Sequence, residues 1–140
     1  MIGTKGRSNI RQYMPKKIHK WGIKVFTRCG ISGMVYDFII YTDKIKTPQE
    51  VDLEACANVV IHLTNSLTRT CFFLVYFNNY YTSLKLLSHL RNRLIYCIGT
   101  MRQNRLQGAK EHVEKKKLKK KDRGSFQWCA SPKMGVTVIS

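Results

Sequence analysis

Seven consecutive apolar residues, Cys71-Phe72-Phe73-Leu74-Val75-Tyr76-Phe77, constrain this chain more than any other stretch. The run is far too short for a bilayer crossing, which takes ~20 apolar residues in a helix. Rich in aromatic and β-branched side chains, it reads as a strand buried on both faces. The residues after it fix its neighbours. Asn78-Asn79-Tyr80-Tyr81-Thr82-Ser83 is turn-forming, and Thr82 or Ser83 can cap a helix. That helix, over 84–93, repeats Leu84, Leu87 and Leu90. Leu94-Ile95-Tyr96-Cys97-Ile98-Gly99-Thr100 then reads as another strand.

Upstream, Gly22-Ile23-Lys24-Val25-Phe26-Thr27-Arg28 alternates apolar residues at Ile23 and Val25. Cys29-Gly30-Ile31-Ser32-Gly33 is a glycine-rich turn, and 34–41 is a second β-branched and aromatic run, so the segment predicts a hairpin. Thr47-Pro48-Gln49-Glu50 carries the signature of a capped helix start. Cys56, Val59, Val60, Leu63 and Leu67 continue it at helical spacing, which predicts an amphipathic helix of about five turns. The expected order is β-β-α-β-α-β, a mixed α/β sheet, with a last short strand over 135–140. Residues 1–20 are basic and poor in core formers, and Tyr13-Met14-Pro15 reads as an extended approach.

Across 140 residues, 25 Lys and Arg face 8 Asp and Glu, a formal net charge of +17. With 44% apolar residues, wholesale disorder is excluded. No apolar stretch follows the first charges, so no signal peptide is visible, and a strongly basic, non-secreted chain with a polyanionic partner is expected. The acids are Asp37, Asp43, Glu50, Asp52, Glu54, Glu111, Glu114 and Asp122, and the last three stand among lysines. Few remain to build a carboxylate cluster. The cysteines, at 29, 56, 71, 97 and 129, form no close pair of the kind zinc sites draw on, and Cys56, Cys71 and Cys97 read as small core hydrophobes. The run Lys115-Lys116-Lys117-Leu118-Lys119-Lys120-Lys121 is either a solvated segment or a nucleic-acid and nuclear-import patch.

Seven blocks in order resemble the transposase domain of the piggyBac family and its domesticated, transposable-element-derived members. They are Lys5-Gly6-Arg7-Ser8, Gln12-Tyr13-Met14-Pro15-Lys16-Lys17, His19-Lys20-Trp21-Gly22-Ile23-Lys24-Val25-Phe26, Asn79-Tyr80-Tyr81-Thr82-Ser83-Leu84, Tyr96 through Arg105, Gly124-Ser125-Phe126 and Val136-Thr137-Val138-Ile139-Ser140. Any one is weak; their order and spacing carry the resemblance across the chain. Gly3-Thr4, Ile18 and Ser131-Pro132-Lys133-Met134 depart from the family pattern, the last disrupting the approach to the final strand.

The resemblance implies a partial RNase H-like mixed sheet that lacks most of its first, central strand. It divides the chain into a partial core over 1–108, a lysine-rich segment over 109–123 and a C-terminal strand region over 124–140. In the family, three carboxylates hold two divalent metals, Mg in the ordinary case, for cut-and-paste transposition at TTAA. By resemblance the first lies before Met1 and the third beyond Ser140, while Asn78 occupies the position of the second. An amide brings no negative charge to a hard cation. The expectation is therefore a catalytically inactive, transposase-derived DDE-superfamily chain with no catalytic triad, no bound metal and no other cofactor. It acts in the nucleus and binds DNA non-specifically. The candidate contacts are Lys16, Lys17 and Lys20, Arg102 and Arg105, and Lys115, Lys116, Lys117, Lys119, Lys120 and Lys121. Trp21, Tyr80 and Tyr81 are secondary candidates for stacking on bases, with burial the commoner fate of such residues. The alternatives are a protein-interaction remnant that self-associates or pairs with an intact transposase through an exposed sheet edge, and a decayed insertion product with no role. No membrane and no small-molecule substrate is implied.

Overall fold

A computed structural model describes residues 1–42, 53–68, 71–106, 118 and 121–140. The expected helix start at 47–50, Asp43, and Lys115, Lys116, Lys117, Lys119 and Lys120 lie outside the described residues. The chain forms two compact units, Met1–Ser66 and Leu67–Ser140. The described elements make several small sheets and two α-helices, a mixed α/β architecture. None of the described helices is long and apolar enough to cross a membrane.

In the first unit, three short strands form one sheet: β1 (Ile2–Gly3), β2 (Arg11–Tyr13) and β3 (Trp21–Ile23), in the order β1-β3-β2 and all antiparallel. A side chain at position 22 would run into the Ile2 carbonyl, so glycine is what lets β1 lie against β3. The hairpin is β4 (Val25–Cys29) with β5 (Val35–Ile40), closed by Gly30 N–H donating to Met34 C=O at 2.9 Å and by Gly33 at φ +81°. The strand expected over 22–28 is thus two strands. Residues 21–23 bond to the N-terminal segments and 25–29 bond to β5, and the alternation at Ile23 and Val25 does not reveal this change of partner.

Helix α1 (Ala55–Thr64) packs on the hairpin face that carries buried Phe26. It has ten residues, not the five turns expected, because Leu53 and Glu54 are not helical. Its start lacks a side-chain cap on the backbone N–H groups, but Asn58, buried in the helix, accepts from Leu53 N–H at 3.2 Å. At the other end Arg28 Nε donates to the Leu63 carbonyl at 2.8 Å and Nη2 to Ser66 Oγ at 3.0 Å, placing a cation where the helix leaves carbonyls unpaired.

In the second unit β6 (Phe73–Phe77), α2 (Leu84–Arg91) and β7 (Ile95–Gly99) make a strand-helix-strand unit with the two strands parallel and in register, Phe73 opposite Ile95 and Phe77 opposite Gly99. Of the expected apolar stripe of α2, Leu90 is fully buried and Leu84 and Leu87 are half-buried; the other fully buried leucine is Leu86. Ser83 is the cap, its Oγ accepting from Leu86 N–H at 3.3 Å. Leu94, expected to open the strand, instead ends the helix in a left-handed turn at φ +61°. The final hairpin is β8 (Trp128–Ser131) with β9 (Val136–Ile139). Ser131–Met134 therefore does not disrupt this region but makes its turn, where Gly135 N–H reaches Ser131 C=O at 2.7 Å.

The apolar run at 71–77 is buried on one face only. Phe73, Val75 and Phe77 point with Ile95 and Cys97 to the covered side, while Leu74, Tyr76, Tyr96 and Ile98 are more than half exposed. Cys97 is half-buried and its thiol is pushed up to about 12 by desolvation, so it stays protonated, whereas Cys71, expected in the core, is exposed. Replacing the α2 cap, Ser83→Ala, should lower stability by about 1 kcal/mol, and Ser83→Asp should retain it; urea unfolding of the three proteins checks this.

Candidate nucleic-acid interface

Of the candidate phosphate contacts, Lys16, Lys17 and Lys20 share one exposed connection between β2 and β3. That connection is folded rather than simply extended. Met14 N–H donates to Lys20 C=O at 2.7 Å and Lys17 N–H to Met14 C=O at 3.1 Å, so three ammonium groups are carried on a short tied loop. Beside it, Tyr13 and Trp21 are directly opposite across β2 and β3, their ring centroids 4.9 Å apart. Trp21 is not buried: 47% of it faces solvent, and 51% of Tyr13.

The second group lies in the other unit, at the carboxyl end of the parallel pair. Arg102 is exposed and precedes a 3₁₀ turn, Gln103–Arg105. Arg105 is engaged within the protein. Its Nη1 donates to the carbonyls of Asn79, Tyr80 and Thr82 at 3.2, 3.1 and 3.1 Å, gathering the loop that follows β6. Lys121 is exposed, like Arg123 beside it.

Asn78 begins that loop at the carboxyl end of β6. Its carbonyl accepts Tyr81 N–H, Thr82 N–H and Thr82 Oγ1, the last at 2.9 Å, and its side-chain Oδ1 accepts Tyr80 N–H at 3.0 Å. Gly99, opposite Phe77, is pressed close: a Cβ there would stand 2.7 Å from the Phe77 carbonyl and 2.7 Å from Thr82 Oγ1. Tyr80 and Tyr81 meet edge to face at 5.0 Å, with Tyr80 partly exposed. A cleft of about 410 Å³ beyond β7 is lined by Leu87, Met101, Gln103, Leu106 and β9, with no charged side chain among the described residues of its walls. Among the described residues no three His, Cys, Asp or Glu side chains come together. Asp37 is engaged with Arg28 at 4.0 Å and accepts from Ser66 Oγ at 3.5 Å.

The family model for Transposase IS4, of the DDE type, matches residues 1–138. Among solved structures, the fold is similar to that of piggyBac transposase in a cryo-EM synaptic complex with hairpin DNA, with TM-score 0.67 and 21% identity. The match covers 91% of this chain and 26% of that one, so the chain spans about a quarter of the solved transposase. Nothing among curated proteins matches the sequence.

Removing the Arg105 guanidinium should loosen the Asn78 loop selectively. Arg105→Ala is expected to lower stability by about 1–3 kcal/mol, since it strands three carbonyls. Amide hydrogen exchange should rise over 78–83 while the β4–β5 hairpin is unchanged.

Proposed function

This chain belongs to the Transposase IS4 family of DDE-type transposases, and we propose that it is a catalytically inert member that retains non-specific DNA binding. The observation that carries the reading is Asn78. It stands at the carboxyl end of a parallel strand, where open α/β sheets place their ligands, and it occupies the position that by resemblance holds the family's second metal-binding carboxylate. Two divalent cations a few Å apart need ionised oxygens to offset their charge. A neutral amide whose Oδ1 already accepts Tyr80 N–H does not meet that need. Asp37, in the hairpin, is turned to Arg28 and Ser66. Among the described residues no set of carboxylates suits a two-metal centre.

The finer architecture belongs to the same reading. We take the hairpin and the parallel pair as parts of an RNase H-like mixed sheet whose first strand the described residues do not supply. In support, β4 pairs only with β5 and β6 only with β7 among the described strands.

DNA contact rests on charge. Lys16, Lys17, Lys20, Arg102 and Lys121, with the lysines at 115–117 and 119–120, supply cations for phosphates, and the solved relative was captured with hairpin DNA. The lysine run and the family also support a nuclear location. The bare face of Leu74, Tyr76, Tyr96 and Ile98 favours a second reading, in which an intact transposase pairs with the chain there.

Binding driven by counterion release weakens steeply with salt: duplex affinity should fall about a thousand-fold between roughly 50 and 200 mM salt. Neither the chain nor Asn78→Asp should nick DNA in Mg²⁺. Absence of duplex binding at low salt contradicts the binding half of the proposal, and nicking by the unaltered chain contradicts the other half.

A further inference from the structure

The N-terminal sheet has a feature that charge alone does not explain. Before Asp37 the chain carries eight Lys or Arg and no acid. Within that stretch two large aromatic rings stand side by side, about half exposed, on one face of a sheet. Tyr13 and Trp21 are cross-strand partners on β2 and β3, and Arg11, two residues from Tyr13, shares their face. Arg11 holds the pair in place: its Nη1 donates to the Gly6 carbonyl at 3.1 Å while its guanidinium lies 4.5 Å from the centre of the indole. The guanidinium thus covers one face of the indole, and the phenol ring of Tyr13 stands 4.9 Å away, tilted by 50°. An aromatic surface ordered before its ligand arrives loses little entropy on binding. At one end of that surface the tied loop presents Lys16, Lys17 and Lys20.

We propose that this sheet face is a platform for unpaired nucleobases, with Tyr13 and Trp21 stacking on bases of a single-stranded nucleic acid and Lys16, Lys17 and Lys20 neutralising its phosphates. Arg11 is a positioning residue that keeps the indole in its plane. The proposal rests on the reading that the chain binds nucleic acid and names the form it binds here. Bases in a duplex have their flat faces covered by their neighbours, whereas in a single strand those faces are available to aromatic side chains. The two modes are separable by charge density. A duplex carries about one charge per 1.7 Å of axis and a single strand about one per 3.4 Å, so a purely cationic surface favours the duplex. A preference for the single strand therefore requires contacts to bases.

The test is a titration of the full chain with three oligonucleotides of equal length at matched salt: oligothymidylate, an abasic strand of the same phosphates, and a duplex. Trp128→Phe leaves Trp21 as the only indole, so its emission reports on the site. Oligothymidylate is expected to quench Trp21 and to bind about ten-fold tighter than the abasic strand, the scale of one stacked base. Trp21→Leu and Tyr13→Leu, which keep an apolar side chain on the sheet, should each remove most of that advantage, and Trp21→Phe should keep it. Equal binding of the thymidylate and abasic strands overturns the platform, with or without folded variants. If the duplex still binds in that case, the DNA-binding reading survives alone. If none of the three binds at low salt, both fail.

Discussion

Two parallel strands cannot be joined by a tight turn; they need a crossover, and the crossover has to find a sheet face to cover. The second unit depends on that constraint. Leu86 and Leu90 of α2, fully buried, and Ile95 at 1% exposure provide the apolar contact that keeps β6 and β7 in parallel register. The register sets Gly99 against Phe77 and delivers Asn78 to the carboxyl end of the pair. The loop that must then reach the helix has carbonyls to satisfy, and Arg105, arriving from beyond β7, binds three of them. Thr82 and Ser83 close the path, one on the Asn78 carbonyl and one as the helix cap. Asn78, which the proposed reading sets at the family's second carboxylate position, is thus held in a closely hydrogen-bonded loop.

The parts legible in the sequence were those with a local signature. The glycine-rich turn at 29–33, the alternation on either side of it, the cap at Ser83 and the two runs at 71–77 and 94–100 each encode their element through backbone preference and apolar spacing. Features that depend on a distant partner were not legible. Strands of two and three residues such as β1 and β2 are too short for a pattern, and they exist because β3 lies between them and Gly22 lets Ile2 approach. An uninterrupted apolar run says that both faces of a strand tolerate burial; it does not say that both are covered, and here Leu74 and Tyr76 are not. Asn58 breaks the apolar stripe of α1 for a bond to Leu53 that no periodicity announces.

The same division runs through the candidate site. The cations at 16, 17 and 20 were readable as charge, and the tied loop that groups them required the structure. Arg105 was readable as charge too, and its bonds to three loop carbonyls required the structure. Trp21, expected to pack away, is half exposed, because a three-stranded sheet of such short strands leaves the indole little to bury against except Tyr13 and Arg11. Charge in this molecule therefore does two jobs. Arg28 and Arg105 stitch carbonyls of their own units, while Lys16, Lys17, Lys20 and Lys121 stand exposed.

The central claim is that a transposase-family fold persists here without its metal chemistry. Electron paramagnetic resonance of Mn²⁺ titrated with the chain measures this directly, since bound Mn²⁺ loses the sharp spectrum of the free aquo ion. The account predicts that the free-ion signal stays undiminished at equimolar protein and micromolar metal. Uptake of two Mn²⁺ per chain under those conditions would contradict it.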